Sequence, residues 1–360
     1  MFYTTITGWL LAYTVQYASG TMMDLHTPEA VGAHFSTFTA SASQAIPYLL
    51  LTTFISAGIC ALGVQNGVEK IIKYMMIFLL FMLFFLAARA LTMPGTGKAL
   101  AFYLKPDISN FMQRGPANVI FDAMGQAFFT LSIGIGSMEI FGSYIDKKHS
   151  LGTESIWIIA LDTLVALMAG LIIFPICFSY NVNPGSGPAL IFVSLPNIFT
   201  QIPGGRFWGL LFFAFLSAAA LTTVIAVFEN MIAFLMDELH FSRKKASFSV
   251  FAAISILSLP CTLGFGILKN IHPMGESSSI LDLEDFIVSN NLLPLGALFL
   301  VFFCTLKRGW GWHNMIQEAN TGKGIKLSGG KFFQFYVTWV LPLIILFVFF
   351  MGYYQKFFQK

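Results

Sequence analysis

The sequence predicts an all-α integral membrane protein, a helical bundle of about nine spans. Of its 360 residues 56% are hydrophobic and only 10% are charged, whereas soluble domains carry about 25% charged residues. The chain also divides into apolar runs of about 20 residues, the length that crosses the hydrocarbon core of a bilayer. The runs are 1–19, 44–63, 71–93, 117–144, 155–180, 206–236, 247–268, 285–306 and 333–357.

The polar segments between the runs are short, so we expect residues 1–360 to form a single transmembrane domain. Alternate segments differ in Lys and Arg content, and the richer set is expected to be cytoplasmic. The first run then passes from cytoplasm to exterior of the cell (inner) membrane, and Gln359 and Lys360 lie outside. We expect a short helix, a lid on the outer face, within 181–205, and a polar turn region with a Trp anchor at 309–330.

Composition and motifs exclude several functional classes. The net charge of +3, with no basic cluster between exposed aromatic residues, predicts no nucleic-acid partner. The six histidines share no helical spacing with one another or with paired carboxylates, and neither a Walker loop nor a Gly-x-Ser-x-Gly motif occurs. An integral-membrane enzyme is therefore disfavoured. The four cysteines lie in or beside apolar runs and are expected to be small buried hydrophobes.

Hydroxyl groups and glycines interrupt the run FFTLSIGIGSMEIFGSY at 128–144. Thr130, Ser132, Gly134 and Gly136 fall in the middle of a span. Close helix packing through small residues is one interpretation. The other is an unwound helix whose free backbone groups contact a polar or charged solute, because backbone is left unpaired at membrane depth only beside protein or a wet cavity.

Polar side chains in two further spans are candidates for ion binding. Asp162 either pairs with a hydroxyl group or supplies a hard oxygen to a small cation. Ala219, Thr222 and Thr223 stand at i, i+3 and i+4, which places one carbonyl and two hydroxyls on a single helix face, although such hydroxyls also bond back to their own helix. Glu229 lies on the same helix and either pairs with the broken run or stays protonated.

In this order, these features resemble the neurotransmitter:sodium symporter family, specifically its bacterial amino-acid transporters of the leucine-transporter type. YTTITGW (3–9), GQAFFTLSIGIG (125–136) and LDTLVALMAG (161–170) resemble the third, the broken sixth and the seventh helix of that family. The segments LPNIF, IAFLMDEL and LDLEDF also resemble segments of that family. The resemblance implies an inverted-repeat bundle, with 1–93 as the remainder of the first repeat, 117–306 as the second repeat and 333–357 as an extra C-terminal helix.

The resemblance also implies roles for individual residues. Residues matching the substrate site are Tyr3, which would hold the substrate carboxylate, and Phe129, Thr130, Ser132, Ile135, Thr223 and Val227. Thr130 and Asp162 match ligands of a first sodium site, and Ala219, Thr222 and Thr223 those of a second. Asp285 matches the outer gate, and Asp237 with Tyr144 the inner gate.

Two departures from the family pattern carry expectations of their own. The family usually has Asn where Asp162 stands, and its chloride-dependent members have Ser where this chain has Ala166. Since a fixed carboxylate offsets the charge of a bound cation as chloride would, we expect chloride-independent transport. The family's first two helices have no counterpart here, so we expect an N-terminally truncated chain with both sodium sites incomplete, which does not transport alone.

The implied function is sodium-coupled import of a neutral amino acid or similar zwitterion by alternating access, with sodium ions, the amino acid and lipid as partners. The alternative is a truncated, non-transporting remnant or a regulatory membrane protein of the same fold. The sequence leaves open which amino acid is bound, the ion stoichiometry, the oligomeric state and the roles of Glu139 and Glu229.

Overall fold

Helices make up nearly the whole chain. The structure, a computed structural model, describes residues 1–180, 182–184, 187–276 and 278–358, and no β-strand occurs among them. The helices in chain order are α1 (Phe2–Ser19), α2 (Pro28–Ala40), α3 (Ala42–Ala61), α4 (Gly67–Leu91), α5 (Thr96–Leu104), α6 (Ile108–Arg114), α7 (Pro116–Thr130), α8 (Ser137–Tyr144), α9 (Leu151–Ser179), α10 (Leu190–Gln201), α11 (Gly205–Asp237), α12 (Arg243–Leu263), α13 (Ile280–Thr305), α14 (Trp312–Ala319) and α15 (Lys331–Phe357).

The predicted helical membrane bundle is confirmed. Seven helices among the described residues are long and apolar enough to cross a membrane, namely α3, α4, α9, α11, α12, α13 and α15. Each corresponds to one of the apolar runs of the sequence. The two remaining runs correspond to α1, which has 18 residues, and to the pair α7 and α8, which a non-helical segment separates.

The described chain forms two compact units. Residues 1–105 and 165–284 make up the first unit, and residues 106–164 and 285–358 the second. The three boundaries fall between α5 and α6, inside α9 and near the start of α13. The predicted division into repeats is a different one and stays a prediction.

Aromatic side chains of α1 form the centre of the first unit. Tyr13 and Tyr17 are fully buried, and Phe213 of α11 stacks on Tyr17 with ring centroids 5.4 Å apart. The Tyr13 hydroxyl donates to the carbonyl oxygen of Phe192 at 2.9 Å. A buried tyrosine needs such a partner for its hydroxyl, and this hydrogen bond holds α10 against α1.

Pairs of hydroxyl groups join four helices of the first unit. In an apolar surrounding a hydroxyl–hydroxyl bond between helices contributes about 0.6 kcal/mol, so the pairs define register more than stability. The pairs are Thr4–Ser258 and Thr5–Thr262 at 3.0 Å, and Thr14–Ser217 and Thr53–Ser255 at 2.9 Å.

The core of the second unit lies where α7, α13 and α15 meet. Its buried side chains come from all three helices and are almost entirely apolar. They are Phe121, Phe128, Ala297, Ile345 and Val348.

The segment 309–330 differs from the polar turn region that we expected. It contains α14, and side chains at the start of α9 hold the residues that follow α14 within the segment. The Ser150 hydroxyl donates to the carbonyl oxygen of Ile325 at 2.8 Å, and the backbone N–H of Ile325 donates to the Thr153 hydroxyl at 2.8 Å. These bonds satisfy backbone groups that a free loop would leave to water.

The segment 181–205 contains a short helix, as we expected. This helix, α10, begins at Leu190, while residues 181, 185 and 186 lie outside the described residues. Its position on an outer face and its role as a lid stay predictions. The predicted orientation of the C-terminus concerns Gln359 and Lys360, which also lie outside the described residues.

Candidate functional site

The interrupted run is an unwound helix. α7 ends at Thr130 and α8 begins at Ser137, and the residues between them, 131–136, are called the unwound segment below. Ser132, Gly134 and Gly136 have φ angles of +52°, +86° and +89°. A residue in this left-handed region cannot continue a right-handed helix. The helix is therefore unwound here, as the second interpretation of this run requires, and the close packing of the first interpretation occurs as well, at Gly134.

Local hydrogen bonds show how α7 ends. The N–H of Ile133 donates to the carbonyl of Phe128 at 3.0 Å, and the N–H of Ser132 donates to the carbonyl of Phe129 at 3.1 Å. This nested pair is a Schellman motif. The left-handed position in that motif is usually glycine, and Ser132 occupies it here although a side chain there costs roughly 1–2 kcal/mol. The fold therefore holds Ser132, a predicted residue of the substrate site, in an unfavourable left-handed conformation.

Two predicted ligands of the first sodium site lie in contact within the second unit. The hydroxyl of Thr130, at the end of α7, donates to Oδ1 of Asp162 in α9 at 2.8 Å. Donating its proton leaves the hydroxyl oxygen with free lone pairs. A hydroxyl and a carboxylate oxygen together are the hard ligands that alkali and alkaline-earth ions accept. The pairing of Asp162 with a hydroxyl group is one of the two alternatives that the sequence left open, and the same two oxygens are of the kind that the proposed sodium ion accepts.

Predicted residues of the first unit also lie together. The Tyr3 side chain of α1 lies close to that of Thr223 on α11. The hydroxyl of Thr222, the residue before Thr223, donates to the carbonyl oxygen of Ala219 one turn earlier on α11 at 2.7 Å. This is the bond back to the helix that the sequence left open as an alternative, and it brings two predicted ligands of the second sodium site into contact. Val227 is half-buried, one turn after Thr223.

The predicted gate residues are divided between the units. Asp285, in the second unit, accepts a hydrogen bond from the Ser289 hydroxyl at 2.8 Å. Tyr144 ends α8 in the same unit, and Asp237 is exposed at the end of α11 in the first unit.

A cavity of about 590 Å³ lies within the second unit. Phe129 and Asp285, which the sequence assigned to the substrate site and the outer gate, both line it. Charged groups of both signs and several amides are among its other lining residues. They are Asp122, Gln126, Asn290, Gln355 and Lys356. A polar cavity of this size admits a small solute.

An ion pair that the sequence did not predict holds Glu229. This side chain is fully buried, and Nη2 of Arg243 donates to its two carboxylate oxygens at 2.6 and 2.5 Å. The Arg243 Nε also donates to the carbonyl oxygen of Cys60 at 2.8 Å. Glu229 thus pairs with a residue that neither alternative had named. The residues are 14 apart on different helices, so no local pattern indicates the contact.

Comparisons with known proteins show what this chain is similar to. The profile of the Sodium:neurotransmitter symporter family matches residues 14–357. YhdH, an uncharacterised sodium-dependent transporter of Bacillus subtilis (strain 168), is 34% identical over 356 residues, covering 97% of this chain and 75% of the relative. An uncharacterised sodium-dependent transporter of Haemophilus influenzae is 33% identical over 359 residues, with the same two coverages. A crystal structure of MhsT in complex with L-phenylalanine matches with a TM-score of 0.85 and 33% identity, covering 98% of this chain and 77% of that one.

Proposed function

This chain belongs to the sodium:neurotransmitter symporter family, and from that premise we propose that it serves the sodium-coupled import of a neutral amino acid or similar zwitterion by alternating access. It is an integral membrane protein whose relatives are sodium-dependent transporters and not enzymes. The single observation that supports the proposal most is the unwound segment beside the Thr130–Asp162 bond. The bound L-phenylalanine of MhsT supports an amino acid as substrate.

Sodium is proposed to bind at two places. In the second unit, Thr130 and Asp162 offer a hydroxyl and a carboxylate oxygen. In the first unit, Ala219, Thr222 and Thr223 offer a carbonyl and two hydroxyls. Sodium would compete with the Thr222 proton for the Ala219 carbonyl, so that hydroxyl turns its proton away when the ion enters.

Contacts to a zwitterionic substrate are proposed for each unit by itself. In the second unit, the end of α7 at Phe129 and Thr130 presents terminal carbonyl groups and the negative end of the helix dipole, which favour an ammonium group. Ser132 and the apolar side chain of Ile135 are the further proposed contacts of that unit. In the first unit, the Tyr3 hydroxyl is a proposed donor to a carboxylate, and the apolar side chain of Val227 favours a neutral substrate.

Transport is proposed to be independent of chloride. Asp162 places a fixed negative charge beside the proposed first sodium ion. In a site of low dielectric constant this charge offsets the cation and no mobile anion is needed. The relevant test is the activity in buffer without chloride.

Coupling follows from linkage between the two ligands. Sodium orders the oxygen ligands that also border the amino acid, and each ligand then raises the affinity of the other by the same factor, typically about 5–150-fold. Orientation is proposed from the excess of Lys and Arg on one side, with α1 running from the cytoplasm to the exterior of the inner membrane.

A binding assay tests the proposal. The purified chain in lipid nanodiscs is titrated with a panel of labelled neutral amino acids in sodium or in choline buffer. We expect saturable binding of at least one amino acid only in sodium. Tyr3→Phe should weaken it, whereas Tyr103→Phe, which removes a hydroxyl bonded to the carbonyls of Ala166 and Leu167, should not.

Uptake separates the proposal from the alternative of a non-transporting relative. Under the proposed function, proteoliposomes with an imposed sodium gradient should accumulate the amino acid that binds, and such uptake would overturn the expectation from the sequence that this chain does not transport alone. Folded protein that binds no amino acid in sodium contradicts the proposed site. Binding without uptake contradicts the import function and favours the remnant or regulatory protein.

A further inference from the structure

The unwound segment and helix α13 approach each other backbone to backbone. A Cβ atom built on Gly296 of α13 lies 3.0 Å from the carbonyl carbon of Gly134 and closer still to its oxygen. A Cβ atom built on Gly134 lies 2.6 Å from the backbone nitrogen of Ala297. Atoms that are not bonded do not come this close, so the approach requires glycine on both sides.

Helix α13 has little room to yield at this contact. Leu293 is fully buried and Ala297 is 3% exposed, and Ala297 packs in the core of the second unit. Close-packed side chains transmit a displacement and do not absorb it. The unwound segment, which has no regular hydrogen-bond ladder, is therefore the part that moves when the contact is widened.

The residues around Gly134 are those of the proposed site. Ser132 and Ile135 lie within two residues of it, and Thr130, four residues earlier, carries the hydroxyl that donates to Asp162. A shift of the Gly134 carbonyl is passed along this short stretch to its neighbours. Displacements of about 1 Å are enough to reduce the function of a site by about 100-fold.

We propose that Gly296 is a positioning residue for the sodium and amino-acid site. Because Gly296 has no side chain, the Gly134 carbonyl can pack directly against α13, and this contact fixes the position of the unwound segment. The inference rests on the proposed function and adds a residue to it that contacts neither ligand. Alanine at 296 favours helix by about 1 kcal/mol over glycine, so the substitution leaves α13 intact and acts at the contact.

The first test is a sodium titration of amino-acid binding by the full chain in nanodiscs. For Gly296→Ala we expect the half-saturating sodium concentration to rise about tenfold or more, with an unchanged melting temperature. Gly142→Ala is the matched control, since Gly142 lies in α8 and a Cβ there meets no atom within 4 Å. It should bind like the wild type.

The second test does not depend on any ligand. Amide hydrogen exchange of residues 131–136 should be faster in Gly296→Ala than in the wild type, while Gly142→Ala leaves these amides unchanged. Wild-type exchange together with wild-type sodium dependence in Gly296→Ala overturns the inference. So does a Gly296→Ala protein that does not fold, because Gly296 is then a structural residue.

The two tests also separate the inference from the function. If the wild type shows no sodium-dependent binding, the proposed function fails, and the exchange rates still decide whether Gly296 fixes the unwound segment. If the wild type binds and Gly296→Ala, like the control Gly142→Ala, matches it in both tests, the function stands and the inference fails.

Discussion

The hydroxyl of Thr130 donates to Oδ1 of Asp162 at 2.8 Å, although the two residues are 32 positions apart in the chain. The bond joins the last residue of α7 to the middle of α9 and leaves the carboxylate charge beside the unwound segment. A carboxylate at membrane depth is costly without a partner of opposite charge. In the proposed function, a bound sodium ion supplies that charge.

Replacement of this charge tests the first proposed sodium site. Asp162→Asn keeps the side-chain shape and removes the charge, so we expect the half-saturating sodium concentration to rise about tenfold. The control is Asp146→Asn, which alters an exposed carboxylate of the second unit. In the wild type, gluconate in place of chloride should leave binding unchanged. Loss of binding in gluconate contradicts the proposed chloride independence.

The hydroxyl of Thr222 tests the second proposed sodium site. Thr222→Val removes it at nearly constant volume and should weaken sodium-dependent binding, while Thr222→Ser should retain most of it. Thr305→Val is the matched control, because the Thr305 hydroxyl is buried and bonds back to the Val301 carbonyl at 2.7 Å. Equal effects of the Thr222→Val and Thr305→Val substitutions on sodium dependence contradict a ligand role for Thr222.

The Glu229–Arg243 pair predicts a large effect on stability. Glu229→Gln leaves the Arg243 charge without its buried partner, and breaking such a pair costs about 3–5 kcal/mol. The melting temperature of the purified protein should therefore fall clearly. The double variant Glu229→Leu with Arg243→Met should recover most of the loss, and Asp146→Asn, which removes an exposed pair with Lys148, should change nothing. A Glu229→Gln protein as stable as the wild type contradicts the role of the pair.

His34 of α2 predicts a pH dependence of stability. Burial lowers the pKa of its imidazole below the usual value, so the unfolded chain binds a proton that the folded chain does not. Stability is then fully present above the unfolded pKa of about 6.5 and decreases as the pH falls below it. His34→Gln keeps a side-chain amide near Gln16, the partner of Nε2 at 3.0 Å. It should flatten the decrease of melting temperature between about pH 7 and 5.

The control for the pH dependence is a variant of an exposed histidine. His26→Gln removes an exposed imidazole from the same part of the first unit and should leave the pH profile of the wild type intact. If His34→Gln and His26→Gln give the same profile, burial of His34 does not cause the dependence.

Local features of the site could be predicted from the sequence. Hydroxyls and glycines in the middle of an apolar run indicated the break at 131–136 as one of two interpretations, since its cause lies in the residues themselves. The helices follow from the length that a bilayer imposes. The Thr222–Ala219 bond follows from helical spacing, which fixes neighbours three residues apart.

Contacts between distant segments could not be predicted in this way. Glu229 and Arg243 lie on different helices, and only the packing of these helices makes them neighbours. Gly296 lies in an apolar stretch with no polar residue beside it, and its importance comes from a backbone on the other side of the contact. Thr130 and Asp162 were paired through family resemblance, because 32 positions of sequence carry no geometric relation.

The bonds between the start of α9 and the stretch after α14 decide where a reporter can be attached. A fluorescent protein or affinity tag inserted near Ile325 would remove the bonds to Ser150 and Thr153 and disturb the helix that carries Asp162. The exposed stretch from Lys105 to Asp107, which connects α5 and α6, is the better insertion point for imaging or purification.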